Sequence, residues 1–121
     1  MTLPKACATL TPTTMSPAIE PILQELRRGL SRLYGARLKG LMLYGSHARV
    51  QAVEGSDIDV ALVVDNFSSA GEEISVFSEL VASLSLQHNC VISVIPVRER
   101  DWLTHQTPLL MNIRREGLAI A

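Results

Sequence analysis

Apolar residues recur at intervals of three and four through Ile19, Ile22, Leu23, Leu26, Leu30 and Leu33, which predicts an amphipathic helix. Ser16-Pro17 offers a cap, but Pro21 lacks an amide donor and restricts Glu20, so the helix is expected to begin near Glu20. Gly35 follows the last periodic residue and serves as its stop. The pattern then changes. Leu38 to Tyr44 is a short apolar run ending at a glycine, the mark of a buried strand. Ser46 to about Ala52 reads as a short helix, Val53-Glu54-Gly55-Ser56 as a turn, and Asp57 to Val64 as a second strand. Asp65 to Gly71 is a polar loop. From Glu72 to Leu86 the helical period returns, with Ile74, Phe77, Leu80, Val81 and Leu84 on one face and acids in the first turn. Cys90 to Val97 predicts a third strand, ended by Pro96 and the charges beyond it. Arg100 to His105 suggests a short helix, and Thr107-Pro108 opens another that stops at Gly117. Leu118-Ala119-Ile120 suits a short edge strand.

This order predicts an α/β fold: a small mixed twisted sheet with helices mainly on one face. The connections are long enough to hold helices between strands, which suits partly parallel pairing. Residues 1–16 are rich in Thr, Pro and Ala without periodicity and are expected to form a flexible arm, leaving 17–121 as one domain.

Composition narrows the function. Apolar residues make up 47% of the 121 and aromatics only 4%, so aliphatic side chains must fill the core. The net charge of −1 advertises no broad basic surface, which argues against nucleic acid as the main substrate. Cys7 and Cys90 are far apart and differ in setting, so a reducing cytoplasm is expected rather than a disulfide. No apolar stretch reaches membrane-spanning length, and the N-terminus is a poor signal peptide.

The chemistry concentrates in Gly45-Ser46-His47-Ala48-Arg49 and Ser56-Asp57-Ile58-Asp59. Gly45 lets the backbone approach a ligand without a Cβ in the way. Ser46 can open a helix whose free N–H groups suit phosphate. Arg49, one turn later, can lean back over the phosphates or pair with Glu54 on the surface. Asp57 and Asp59, two apart at a strand start, point to one face with Cα atoms roughly 6–7 Å apart. Two such carboxylates attract a divalent cation, and Mg²⁺ suits a few carboxylates plus phosphate oxygens. An ordinary turn and a solvated strand mouth are the bland alternative. His47 reads as a rim residue, and His88 and His105 show no zinc-like spacing. Trp102 reads as a packing anchor or partner contact.

These residues, with Ala52 and Val60-Ala61-Leu62, resemble the minimal nucleotidyltransferases of the DNA polymerase β superfamily. The ten-residue spacing is like that of the MNT antitoxins that pair with HEPN-domain toxins. The resemblance spans roughly Leu38 to Ile120, with Pro108 to Gly117 similar to the group's closing helix. It implies a Mg²⁺-dependent transfer of AMP from ATP to a tyrosine hydroxyl of a HEPN-type toxin, with Asp57 and Asp59 as metal and catalytic residues and Gly45, Ser46 and Arg49 holding nucleotide. Two positions depart from the family. Val50 stands where a glycine is usual, and Ser93 stands where the usual third carboxylate is expected. Glu99, Asp101, solvent or the partner would then take the proton. A binding-only antitoxin and a small-molecule transferase of the aminoglycoside-modifying kind are the alternatives. The latter usually carries an added acceptor domain.

Overall fold

The computed structural model describes residues 19–45, 57–104 and 107–120. Helix α1 (Glu20–Tyr34) starts where Pro21 fits the first turn and has no side-chain cap, and a short 3₁₀ turn (Gly35–Arg37) follows. Strands β1 (Leu38–Tyr44) and β2 (Ile58–Val64) come next. Helix α2 (Ala70–Gln87) is capped by the Ser69 hydroxyl, which accepts from the Glu72 amide. Strand β3 (Ile92–Arg98), α3 (Glu99–Thr104), α4 (Pro108–Glu116) and β4 (Leu118–Ala119) complete the described chain. Thr107 caps α4 through its hydroxyl, which accepts from the Leu110 amide.

The sheet order is β3-β2-β1-β4. β1 pairs antiparallel with β2 and β4, while β2 and β3 run parallel, joined by the α2 crossover. Strand alternation divides the side chains. Leu41, Leu43, Val60, Leu62 and Ile92 join the core with α1 and Phe77 and Leu84 of α2. Ala61, Val63 and Val97 face the other way, against Leu110 and Ile113 of α4 and the ring of Trp102. The two long helices therefore cover one face, and α3 and α4 the other.

Three local differences from the sequence pattern have physical causes. Ile74 is 43% exposed, because Glu73 takes the inward position beside it. The buried Tyr34 hydroxyl donates to the Glu73 carboxylate at 2.9 Å, so the polar pair satisfies itself inside the helix layer. Leu33 is likewise exposed, with Tyr34 turned inward in its place.

The third difference is β3, which continues through Pro96 to Arg98. The Ile58 amide donates to the Val91 carbonyl, so in the parallel ladder residues 91, 93, 95 and 97 turn their backbone groups towards β2. Ile92, Val94, Pro96 and Arg98 turn theirs to the outer edge. Pro96 thus costs the ladder no donor. The Ile92 amide, also outward, donates to the Ser85 hydroxyl at 3.2 Å.

Candidate active site

The end of β1, the start of β2 and the start of β3 meet at one edge of the sheet. Tyr44 is opposite Asp59 in the antiparallel pair, and Asp59 is level with Ser93 in the parallel pair. Tyr44, Asp59 and Ser93 therefore form one row on the face that carries α3 and α4. Neighbouring strands lie about 4.8 Å apart, so adjacent members of the row are within side-chain reach. Asp57 stands one residue before β2 and is exposed, whereas Asp59 is half-buried.

Gly45 ends β1 with φ +75°, a conformation that L side chains rarely adopt. A Cβ placed there would lie 2.5 Å from Asp59 Oδ2 and 3.3 Å from Asp59 Cγ. The sequence suggests a glycine kept for close approach to a ligand. The structure adds a second demand, since the Asp59 carboxylate occupies the space a side chain would need. Gly45→Ala is accordingly expected to cost about 1–3 kcal/mol of stability or to displace Asp59. Thermal melting measures the first. A fall in ATP affinity at fixed Mg²⁺ measures the second.

The electrostatics of the row follow from burial and charge. Burial pushes the Tyr44 hydroxyl up, and the Asp59 charge adds to it, so Tyr44 stays neutral at physiological pH. Asp57 and Asp59 offer two hard oxygen donors at the mouth of the sheet. Among the described residues no group of three or more His, Cys, Asp and Glu could hold a metal. A pair of carboxylates completed by phosphate oxygens and water fits Mg²⁺, which rarely takes an all-protein cage.

Ser46, Arg49, His47 and Val50 lie outside the described residues. Glu99 and Asp101 need correction as stand-in bases. They follow Arg98, which pairs with Val64 at the opposite end of the parallel strands from Asp59 and Ser93. Five residue steps of strand separate Ser93 from Arg98, roughly 16 Å. Asp101 is also held by Arg98, Nε to Oδ2 at 3.0 Å. Trp102 is the packing anchor expected of it: its ring joins the second core cluster, and the Arg114 guanidinium lies 5.5 Å from its centroid. His88 pairs with Glu25 at 2.9 Å and ties the end of α2 to α1. Burial pushes the Cys90 thiol up. Tyr44 is the member of the row that the sequence reading passes over. Strand parity alone, counted back from Asp59 through the β1 pairing, is the signal that finds it.

Similarity to known proteins agrees with this geometry. A protein of Methanocaldococcus jannaschii, provisionally named a protein adenylyltransferase, is 29% identical over 104 residues, covering 81% of this chain and 93% of its own length. The fold matches a solved complex of tri-AMPylated Shewanella oneidensis HEPN toxin with MNT antitoxin, at TM-score 0.58 and 16% identity over 84% of this chain and 71% of that one. It also matches a toxin–antitoxin crystal structure with AMP-PNP, at TM-score 0.59 and 17% identity over 82% of this chain and 72% of that one. The family model described as polymerase beta, nucleotidyltransferase covers residues 33–117, from the end of α1 to the close of α4, and the chain belongs to that family.

Proposed function

We propose that this protein transfers AMP from ATP, with Mg²⁺, to a tyrosine hydroxyl of a HEPN-type toxin, and so acts as an antitoxin in the cytoplasm. The observation that supports the reading is the packing of Gly45, expected to leave room for phosphate, against the Asp59 carboxylate. The named activity of the Methanocaldococcus jannaschii relative and the AMPylated toxin in the matched complex support AMP and a protein acceptor. No described helix is long and apolar enough to cross a membrane.

In this reading Asp57 and Asp59 hold the cation, which supplies positive charge to the phosphate oxygens. Gly45, Ser46 and Arg49 orient the triphosphate. The acceptor oxygen attacks the α-phosphorus, the bond to the bridging oxygen breaks, and pyrophosphate leaves with its electron pair. The acceptor's proton passes to solvent, because Ser93 cannot accept it near neutral pH.

Calorimetric titration of ATP is the test. Binding should be measurable with Mg²⁺ and at least about tenfold weaker with EDTA, since two carboxylates facing a polyphosphate repel it unless a cation intervenes. Equal affinity in both buffers removes the metal from the reading. Ser93 favours a second reading, in which the chain neutralises its partner by contact alone. A partner inhibited without incorporation of label from ATP would establish it.

A further inference from the structure

We infer that the groove between α1 and α2 is the contact surface for a second copy of this chain, joined about a two-fold axis that lies along the groove.

The groove comes from the way the two helices pack. They run antiparallel: the Tyr34 hydroxyl meets Glu73, Gly29 meets Leu80, and Glu25 meets His88. Gly29 allows a close approach, since a Cβ there would lie 2.7 Å from Leu80 Cδ1. Beside this contact a hollow of about 380 Å³ opens, with Leu33, Val76 and Leu80 among its lining. Leu33 and Val76 are each 47% exposed. Exposed apolar residues gathered in a groove and rimmed by charge mark an interaction surface.

The rim says what the partner must carry. Arg32 lines the α1 wall and Glu79 the α2 wall. Arg28 precedes Arg32 by one turn, on the same side of α1. Arg27, Arg28 and Arg32 are all exposed, and the acids of α1 are Glu20 at its start and Glu25, which pairs with His88. α2 contains no lysine or arginine, and its exposed acids are Glu72 and Glu79. Among the described residues Arg28, Arg32 and Glu79 form no ion pair. One wall is thus positive and the other negative, and the two do not neutralise each other across the groove.

A two-fold axis along the groove keeps every residue at its own height and exchanges the walls, so α1 of each copy lies over α2 of the other. The contacts of Tyr34 with Glu73 and of Gly29 with Leu80 put Glu79 at the height of the turn from Arg28 to Arg32. In the pair, Arg28 and Arg32 of one copy therefore bracket Glu79 of the other, and the same contact recurs by symmetry. Leu33, Val76 and Leu80 close on their equivalents between the two. A foreign partner would need the same alternation of charge about an apolar strip, whereas a second copy has it by construction. The Asp59–Ser93 row stays uncovered, because it lies on the face that carries α3 and α4.

Sedimentation equilibrium of the full chain at about 1–100 μM, a range that covers weak contacts, tests the pairing. Wild type should form a reversible dimer whose dissociation constant rises with salt. Glu79→Arg alone, and Arg28→Glu/Arg32→Glu alone, should each raise that constant at least about tenfold. Far-ultraviolet circular dichroism should stay unchanged, because all three positions are exposed. An equimolar mixture of the two variants should recover the wild-type constant, since opposite charges meet again at both contacts. A wild type that stays monomeric overturns the inference, as does a dimer that neither variant weakens or a mixture that stays dissociated. Weaker binding of a purified HEPN-type toxin by both variants, with the wild type monomeric, gives the groove to that partner and overturns the second copy.

Discussion

Asp57→Asn combined with Asp59→Asn is expected to lower AMP transfer by at least about 10³-fold and leave the fold intact, since losing even one preorganised charge-stabilising group in an active site commonly costs 10²–10³. The reason lies in the placing of the two carboxylates. Asp57 is exposed ahead of β2, and Asp59 is half-buried at the mouth, while the core residues of β2 begin at Ile58 and continue through Val60 and Leu62. Neutralising the pair would remove the oxygen ligands proposed for the cation while keeping the size of both side chains. Asparagine keeps the shape of each side chain, so the protein without ligand should stay folded, with a melting temperature close to that of the wild type. Wild type should gain thermal stability from Mg²⁺ with ATP, as any protein does from a ligand that binds only its folded form, and the double variant should lose that gain. A variant that melts normally, gains the same stability from Mg²⁺ with ATP and still labels its partner would show that the carboxylates lie outside the site.

Ser93→Asp is expected to raise transfer between about tenfold and a hundredfold, part of the 10²–10⁴ that a positioned base supplies. The register makes this a sharp experiment. Ser93 is level with Asp59 on the adjacent parallel strand, and the alternation that puts Val97 with Leu110 and Ile113 puts Ser93 on the Asp59 face. A carboxylate at position 93 would thus sit beside Asp59. The new charge should make the ligand-free protein slightly less stable and more responsive to Mg²⁺. A rate that stays at the wild-type level, with the partner already modified briskly, would mean that the proton needs no fixed acceptor. No transfer in either form, with the partner still inhibited, would favour neutralisation by contact.

Much of this arrangement is legible in the chain. The apolar run ending at Gly45 and the run opened by Asp57 are strands, and Thr107-Pro108 starts a helix because a hydroxyl cap and a proline favour the same place. Other features depend on partners distant in sequence. Nothing near Glu73 says that the Tyr34 hydroxyl will receive it, so periodicity assigns the inward position to Ile74. Pro96 looks like a strand terminator until β3 is known to lie at the sheet margin. Glu99 and Asp101 look close to the site because they follow Ser93 in the chain. The direction of β3 carries them to the far end of the sheet, and direction is set by the α2 crossover rather than by any local signal. At the candidate site, the spacing of Asp57 and Asp59 is readable directly from the sequence. The contact between Gly45 and Asp59 required the antiparallel pairing of β1 with β2.

The outer margin of β3 bears on how this protein meets others. Of its four outward backbone positions, Ile92 gives its amide to Ser85 and Pro96 has none, so an incoming strand would find fewer donors there than on a regular edge. Such a margin resists the edge-to-edge zipping that turns exposed sheets into aggregates. A polypeptide laid along this margin would gain fewer backbone hydrogen bonds than along a regular edge strand, which favours recognition through side chains and shape.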